Sequence, residues 1–334
     1  MRSVRLLLLV LLFTTSVRAE EKTLLVSALF ADSSIVGPAL RFTTGDAETT
    51  EYALSLLGWT IDGEMVKHRS PRQAFLLSAD ITPVNAHSSD RIFVDGERAH
   101  ELEYEASSYR VRAGLRLTPT ERSTTDLRVA ALMERVSDLA DPRVVEFWDG
   151  PFVGLDVMHT WKVTRSESPF ISSFDGVAIS ARAEVFTGQE TWSRISVNQR
   201  AGRRFGKVHL RESVNAMTGK SLNVVNRFIV GGSWDVLGEN AVYGSRFGEF
   251  RIARGVIASA GADYSLPRNW TAGVRASYLR SDVVHTHGFA LNATKVRRTY
   301  GFNFGVAFPK EQGGDSEPVF YLGVIAPLYA KGYN

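Results

Sequence analysis

Over much of the chain, apolar and polar residues alternate one by one. Tyr109, Val111, Ala113, Leu115 and Leu117 are separated by Arg110, Arg112, Gly114 and Arg116. A helix of period 3.6 would scatter these residues, whereas a strand puts alternate residues on opposite faces. The same spacing recurs at Leu127–Met133, Val153–Val163, Val177–Val185, Val208–Ala216, Val256–Leu266, Ala272–Tyr278 and Tyr300–Phe308, with a last apolar face on Phe320, Leu322, Val324 and Ala326. Thr23–Phe30, Pro38–Thr44 and Glu51–Thr60 are further strand candidates. Arg72–Ala86 opens a more polar region of less regular pattern. Turn residues stand between the runs, as at Gly202–Gly206, Thr218-Gly219-Lys220, Pro267-Arg268-Asn269 and Gly313-Gly314-Asp315.

Most of these runs are nine to thirteen residues long. Soluble strands are usually nearer five or six, and a tilted membrane strand needs about 9–11. Trp59, Trp148, Phe152, Trp161, Trp192, Trp270, Tyr278, Tyr300 and Phe320 fall near strand ends, as in the aromatic girdles of membrane barrels. The pattern therefore predicts an all-β fold, a transmembrane antiparallel β-barrel, rather than a soluble sandwich. At about 20 residues per strand and connection the chain makes about 16 strands, with twelve or fourteen as alternatives.

Charge then assigns the faces. An arginine facing lipid near the midplane costs roughly 2–4 kcal/mol, so the polar faces must turn inward. Arg110, Arg112, Arg116, Arg128, Arg182, Arg211 and Arg275 are the expected lumen-lining residues. If neighbouring acids pair with all of them, they brace the wall; an unpaired zone would make the pore prefer anions.

The first residues, Met1-Arg2-Ser3-Val4-Arg5, precede an apolar run from Leu6 to Phe13, and Val17-Arg18-Ala19 offers small residues for cleavage. This reads as a signal peptide, residues 1–19, with the barrel as residues 20–334. The leader holds Arg2, Arg5 and Arg18, so the basic balance of 39 Lys and Arg against 36 Asp and Glu belongs to it, and nothing suggests a nucleic-acid partner. There is no cysteine, which excludes disulfides and cysteine-ligated metals. The expected location is the bacterial outer membrane after export, with outer-membrane lipid as the surroundings.

Candidate chemistry is sparse. His159 falls on an apolar register and reads as a girdle histidine. His285-Thr286-His287 puts two histidines on one face without a third ligand, and reads as a solvated loop. No serine sits in a nucleophile motif with supporting histidine and acid, so an enzyme is not expected, nor a cofactor or metal.

The stretch from Arg227 to Ser281 carries a resemblance. Arg227-Phe228-Ile229-Val230-Gly231-Gly232 is an apolar strand ending in two glycines. Ala262-Asp263-Tyr264-Ser265-Leu266-Pro267 and the strand Trp270–Ser281 follow, and Tyr300–Pro309 with Pro318–Leu328 form a closing hairpin. This resembles the bacterial surface antigen superfamily, the barrels of outer-membrane assembly factors and two-partner-secretion transporters. The resemblance covers roughly the last 150 residues. It implies a loop folded into the lumen, here with Gly231, Gly232, Trp234, Asp235, Leu237, Gly238 and Glu239.

In the family this loop carries a Val-Arg-Gly-Phe/Tyr tetrad, whose arginine pairs with acids on the wall. This chain has Val236-Leu237-Gly238-Glu239, so Leu237 stands where the arginine would. Strands start almost at the cleavage site, which leaves no room for the family's periplasmic (POTRA) domains. The last residues, Gly332-Tyr333-Asn334, depart from the usual aromatic end. The expectation is an envelope pore or a reduced protein-translocation or assembly barrel, handling an exported polypeptide or a small solute. The alternatives are a structural or adhesive barrel with a plugged lumen and, further off, a lipid hydrolase. Without the arginine, the loop is expected to sit loosely, or to pack through Trp234 and Tyr243 instead.

Overall fold

The computed structural model describes residues 21–330, apart from 32–33, 47–48, 58–59, 90–91, 95–96, 100–101, 138–149, 168–173, 224–225, 233–239, 246–249, 298–299 and 312–317. The expected signal peptide, Trp59, Trp148, Trp234, Asp235, Leu237, Gly238, Glu239 and the last four residues lie outside the described residues.

Among the described residues twenty strands follow in order. They are β1 (Glu21–Ala31), β2 (Ser34–Asp46), β3 (Thr50–Leu57), β4 (Thr60–Ser70), β5 (Gln73–Ser89), β6 (Ile92–Val94), β7 (Glu97–Ala99), β8 (Leu102–Thr120), β9 (Ser123–Ser137) and β10 (Gly150–Glu167). After them come β11 (Phe174–Thr187), β12 (Thr191–Phe205), β13 (Val208–Lys220), β14 (Phe228–Val230), β15 (Phe250–Ile252), β16 (Arg254–Leu266), β17 (Trp270–Ser281), β18 (His285–Arg297), β19 (Tyr300–Glu311) and β20 (Val319–Ala330).

Sixteen of them form one closed antiparallel barrel in chain order. It shuts where β1 pairs with β20, from Thr23 opposite Ala330 to Ala31 opposite Tyr321. Closure leaves no barrel strand with an unpaired edge, the condition for a sheet to stand in lipid. The pairs β6–β7 and β14–β15 are separate two-stranded sheets that do not join the barrel wall.

The connections sort by end. At one end the chain turns in two to six residues, as at 71–72, 121–122, 206–207 and 267–269. The last of these is a one-turn helix with Arg268 and Asn269 at positive φ. The other end carries 90–101, 138–149, 312–318 and the long segment 221–253. Outer-membrane barrels keep short turns on the periplasmic side and longer loops outside.

Alternation assigns the two faces. Val111, Leu115, Val129, Val153, Leu155, Ile179, Val185, Ile195, Val197, Leu210, Val214, Val274, Phe289 and Leu291 are exposed on the outer surface. Between them Arg112, Asp126, Glu134, Asp156, Glu184, Asn198, Asn215, Asp263 and Arg275 are buried inside. Trp161, Tyr278 and Phe320 are exposed on the outside, as girdle residues should be.

Several readings change. Phe152 and Trp192 are not girdle residues but buried lumen residues, 1% and 0% exposed. Each lies one position off the outward parity of its strand. The run Glu51–Thr60 divides between β3, which ends at Leu57, and β4, which begins at Thr60. The polar region after Arg72 is a strand of 17 residues, β5. His285-Thr286-His287 is not a loop. It opens β18, with both histidines outward and Thr286 buried. His159 is outward, and its Nδ1 is 2.8 Å from the Thr125 hydroxyl on β9.

Candidate functional site

The interior holds two charged clusters on the wall and, packed against its inner face, the described residues of the segment 221–253. Strand parity makes the first cluster. Arg110 and Arg112 on β8, Arg128 on β9, Asp156 on β10, Arg182 and Glu184 on β11 and Arg194 on β12 all occupy inward positions. Antiparallel register brings them to one level: Asp156 is opposite Arg128 on one side and Glu184 on the other.

Two carboxylates organise this cluster. Asp156, with no exposed surface, lies 3.2 Å from both Arg112 and Arg128 and accepts from Arg182 at 2.9 and 3.0 Å. Glu184 accepts from Arg110 at 3.2 Å, from Arg182 at 3.0 Å and from Arg194 through a short contact. Arg112 also reaches Asp80 on β5 at 2.7 Å. Arg116 forms a bidentate pair with Asp126 at 2.8 and 2.9 Å and lies 3.5 Å from Glu64 on β4. Fork-to-carboxylate pairing of this kind is the strong form of charge-assisted bonding.

The second cluster is on the adjoining strands β13, β16 and β17. Asp263 on β16 accepts from Arg275 on β17 at 2.6 Å, and Arg211 and His209 on β13 lie 3.7 and 3.8 Å away. His209 Nε2 is 3.1 Å from the Phe174 carbonyl. Each of the seven arginines thus has an acid within 4 Å. Among the described residues these seven offer no unpaired cationic zone of the kind an anion-selective pore would need.

The described residues of segment 221–253 pack against the inner face of the wall. The segment begins on an aromatic seat: Leu222 packs with Leu132, Phe152, Phe186 and Trp192, and Phe228 borders the same group. The Phe186 and Trp192 rings are stacked 4.5 Å apart. The Arg194 guanidinium stands 5.7 Å from both the Trp192 and Phe228 rings and donates to the Asn226 carbonyl at 3.0 Å. The Asn226 amide donates to Glu134 on β9 at 2.9 Å. The network that braces the wall therefore also holds the segment.

Gly231 and Gly232 follow, with φ of 124° and 112°. Both values lie in the region open to glycine and costly to other residues. They turn the chain so that Gly231 N donates to Asn240 O at 2.9 Å and Gly232 N to Ser245 Oγ at 3.0 Å. β14 pairs with β15, so the segment enters and leaves as a two-stranded ribbon. Its apolar side, Val230, Val242, Phe250 and Ile252, is buried against Met217, Ile257 and Leu279 of β13, β16 and β17.

The tip is held on the far wall. Tyr243 is 3% exposed and packs with Ala290, Ala307 and Tyr321 of β18, β19 and β20. Its backbone N–H donates to Ser277 Oγ at 2.8 Å. Gly288 makes the close approach possible, since a Cβ there would lie 1.9 Å from the Tyr243 carbonyl oxygen. Tyr243 thus anchors its end of the segment by packing and a backbone hydrogen bond, while Asn226 anchors the start through the Glu134 carboxylate and the Arg194 guanidinium.

Sequence reasoning singled out the arginines and the two glycines but not Arg194, Asp156, Glu184 or the Phe152–Phe186–Trp192 seat. Parity held that signal, because Asp156 and Glu184 share the inward register of arginines on adjoining strands.

No family model matches the chain, and no curated protein does. Solved structures do. BamA from Haemophilus ducreyi lacking POTRA domains 1–3 aligns over 92% of this chain and 70% of its own, at 8% identity and a TM-score of 0.66. CdiB from Acinetobacter baumannii aligns over 92% of this chain and 60% of its own, at 10% identity and a TM-score of 0.59. CdiB from Escherichia coli aligns over 94% and 64%, at 13% identity and a TM-score of 0.52. The chain spans less than two thirds of either CdiB. At these identities the likeness establishes the fold, an outer-membrane β-barrel of the kind seen in BamA and CdiB.

Proposed function

We propose that this chain is a gated outer-membrane barrel of the polypeptide-handling type, closed at rest by its own segment 221–253. The observation that carries this reading is the seating of that segment on both walls, through Asn226 on one and Tyr243 on the other. It lies between the eleventh and twelfth barrel strands, and the sequence resemblance places the inward loop of translocation and assembly barrels after the same Gly-Gly strand. The full pairing of the seven arginines argues against a standing anion-selective pore.

In a planar bilayer the intact chain should conduct weakly and without anion preference. Deleting Asp235 to Ser245 removes Tyr243 and should raise single-channel conductance several-fold. A large, steady conductance in the intact chain would overturn gating by this segment. An intact and a shortened chain that are both closed would favour the structural barrel with a plugged lumen.

A further inference from the structure

Each of the seven inward arginines has a carboxylate within 4 Å, but a group of basic side chains on the outer surface has no such partner among the described residues. Arg254 opens β16, Arg280 closes β17, and His285 and His287 open β18. All four are exposed on outward-facing positions at the loop end. Register makes them contiguous: Arg280 is opposite His285 on one side and Val256 on the other, and His287 is opposite Tyr278. Directly opposed residues in a ladder have Cβ atoms about 5 Å apart, so one small anion can touch several of these side chains.

Among the described residues none of the four side chains has an ion-pair or hydrogen-bond partner. The neighbouring acid, Asp282, is turned away from them, because its two oxygens accept from the backbone N–H groups of Ala253 and Arg254 at 3.3 Å.

Immediately toward the membrane lies an aromatic step. Tyr278 and Phe289 are outward and about half exposed, and Phe289 stacks on Phe308 at 4.7 Å. Two arginines and two imidazoles at the rim with aromatic rings below them match a molecule with an anionic head and acyl chains. The rim is also low here. The described residues before β16 pack inside the lumen, and the connection between β17 and β18 is only residues 282–284.

We propose that Arg254, Arg280, His285 and His287 form a binding site for the phosphorylated head of an outer-leaflet glycolipid, with Tyr278, Phe289 and Phe308 against its acyl chains. The assignment rests on the loop end facing outward, where the leaflet of an outer membrane is lipopolysaccharide. Guanidinium forks suit phosphate oxygens, and the imidazoles add donors.

The test uses the full chain refolded into phosphatidylcholine vesicles, read by the temperature at which its folded gel band is lost. Bis-phosphorylated lipid A should raise this temperature by about 5 °C at saturation. The R254Q/R280Q chain, first shown to migrate as a folded barrel, should need about tenfold more lipid A for the same shift. R203Q/R204Q, at the turn end, should behave as the parent chain. An unchanged response of R254Q/R280Q would overturn the site. An equal shift from phosphatidylglycerol would overturn the glycolipid assignment, and an equal shift from inorganic phosphate would reduce the site to general anion binding.

Discussion

Asp156 shows no surface to solvent and faces three guanidinium groups, from Arg112, Arg128 and Arg182. Removing one member of a buried ionic group leaves its partners desolvated and uncompensated, at about 3–5 kcal/mol. Asp156→Ala should therefore lose roughly that much stability in urea unfolding from lipid vesicles, and Asp156→Asn somewhat less because it keeps acceptor capacity. A loss under about 1 kcal/mol would mean that lumen water solvates the guanidinium groups instead. The same substitution frees positive charge inside the barrel, so any residual current should shift toward anions.

At the scale of elements, two glycine positions decide how segment 221–253 sits. One was readable: Gly231-Gly232 ends an apolar strand, and both residues take backbone angles that favour glycine. The other was not. Gly288 stands in a regular alternating run, and only the three-dimensional approach of the Tyr243 carbonyl shows why a side chain there would collide. Gly288→Ala should unseat the tip without deleting anything from the segment, raising conductance toward that of the shortened chain. Gly63→Ala is the control, since its Cβ would meet no atom closer than 3.9 Å. If both variants conduct like the parent, the tip does not close the lumen.

Legibility followed the same division. Long alternating strands with unlike faces, such as β9 and β11, could be read directly. β4 and the opening of β18 could not. Thr60 and Asp62 are inward, against Thr82 and Asp80 of β5, and leave only Ile61 and Gly63 outward, a weak apolar face. His285 and His287 are outward polar residues near the barrel rim, where water and headgroups tolerate them. Phe152 and Trp192 misled for a related reason. An aromatic near a strand end suits a membrane girdle, but its parity, not its chemistry, decides which side it occupies.

For the whole molecule, the closed sheet makes adjacent residues belong to different solvents. The chain has no cysteine, so single cysteines report one place each. A fluorophore on Val197→Cys, refolded into vesicles of brominated lipid, should be strongly quenched, and one on Ser196→Cys should not. Val197 is 41% exposed on the outer surface, whereas Ser196 is on the inward register of β12. Equal quenching at the two sites would contradict a closed barrel in lipid.

The ladder bonds of a barrel join each strand to its neighbours and so set its circumference. They say little about its cross-section, which neighbour spacing alone would let flatten or round. Several interior ion pairs join strands that are not neighbours: Arg112 on β8 to Asp156 on β10, Arg116 on β8 to Glu64 on β4, and Arg110 on β8 to Glu184 three strands along on β11. These are chords across the wall. They hold one arc of the hoop at a set curvature, so a change of outline must be taken up by the remaining arc.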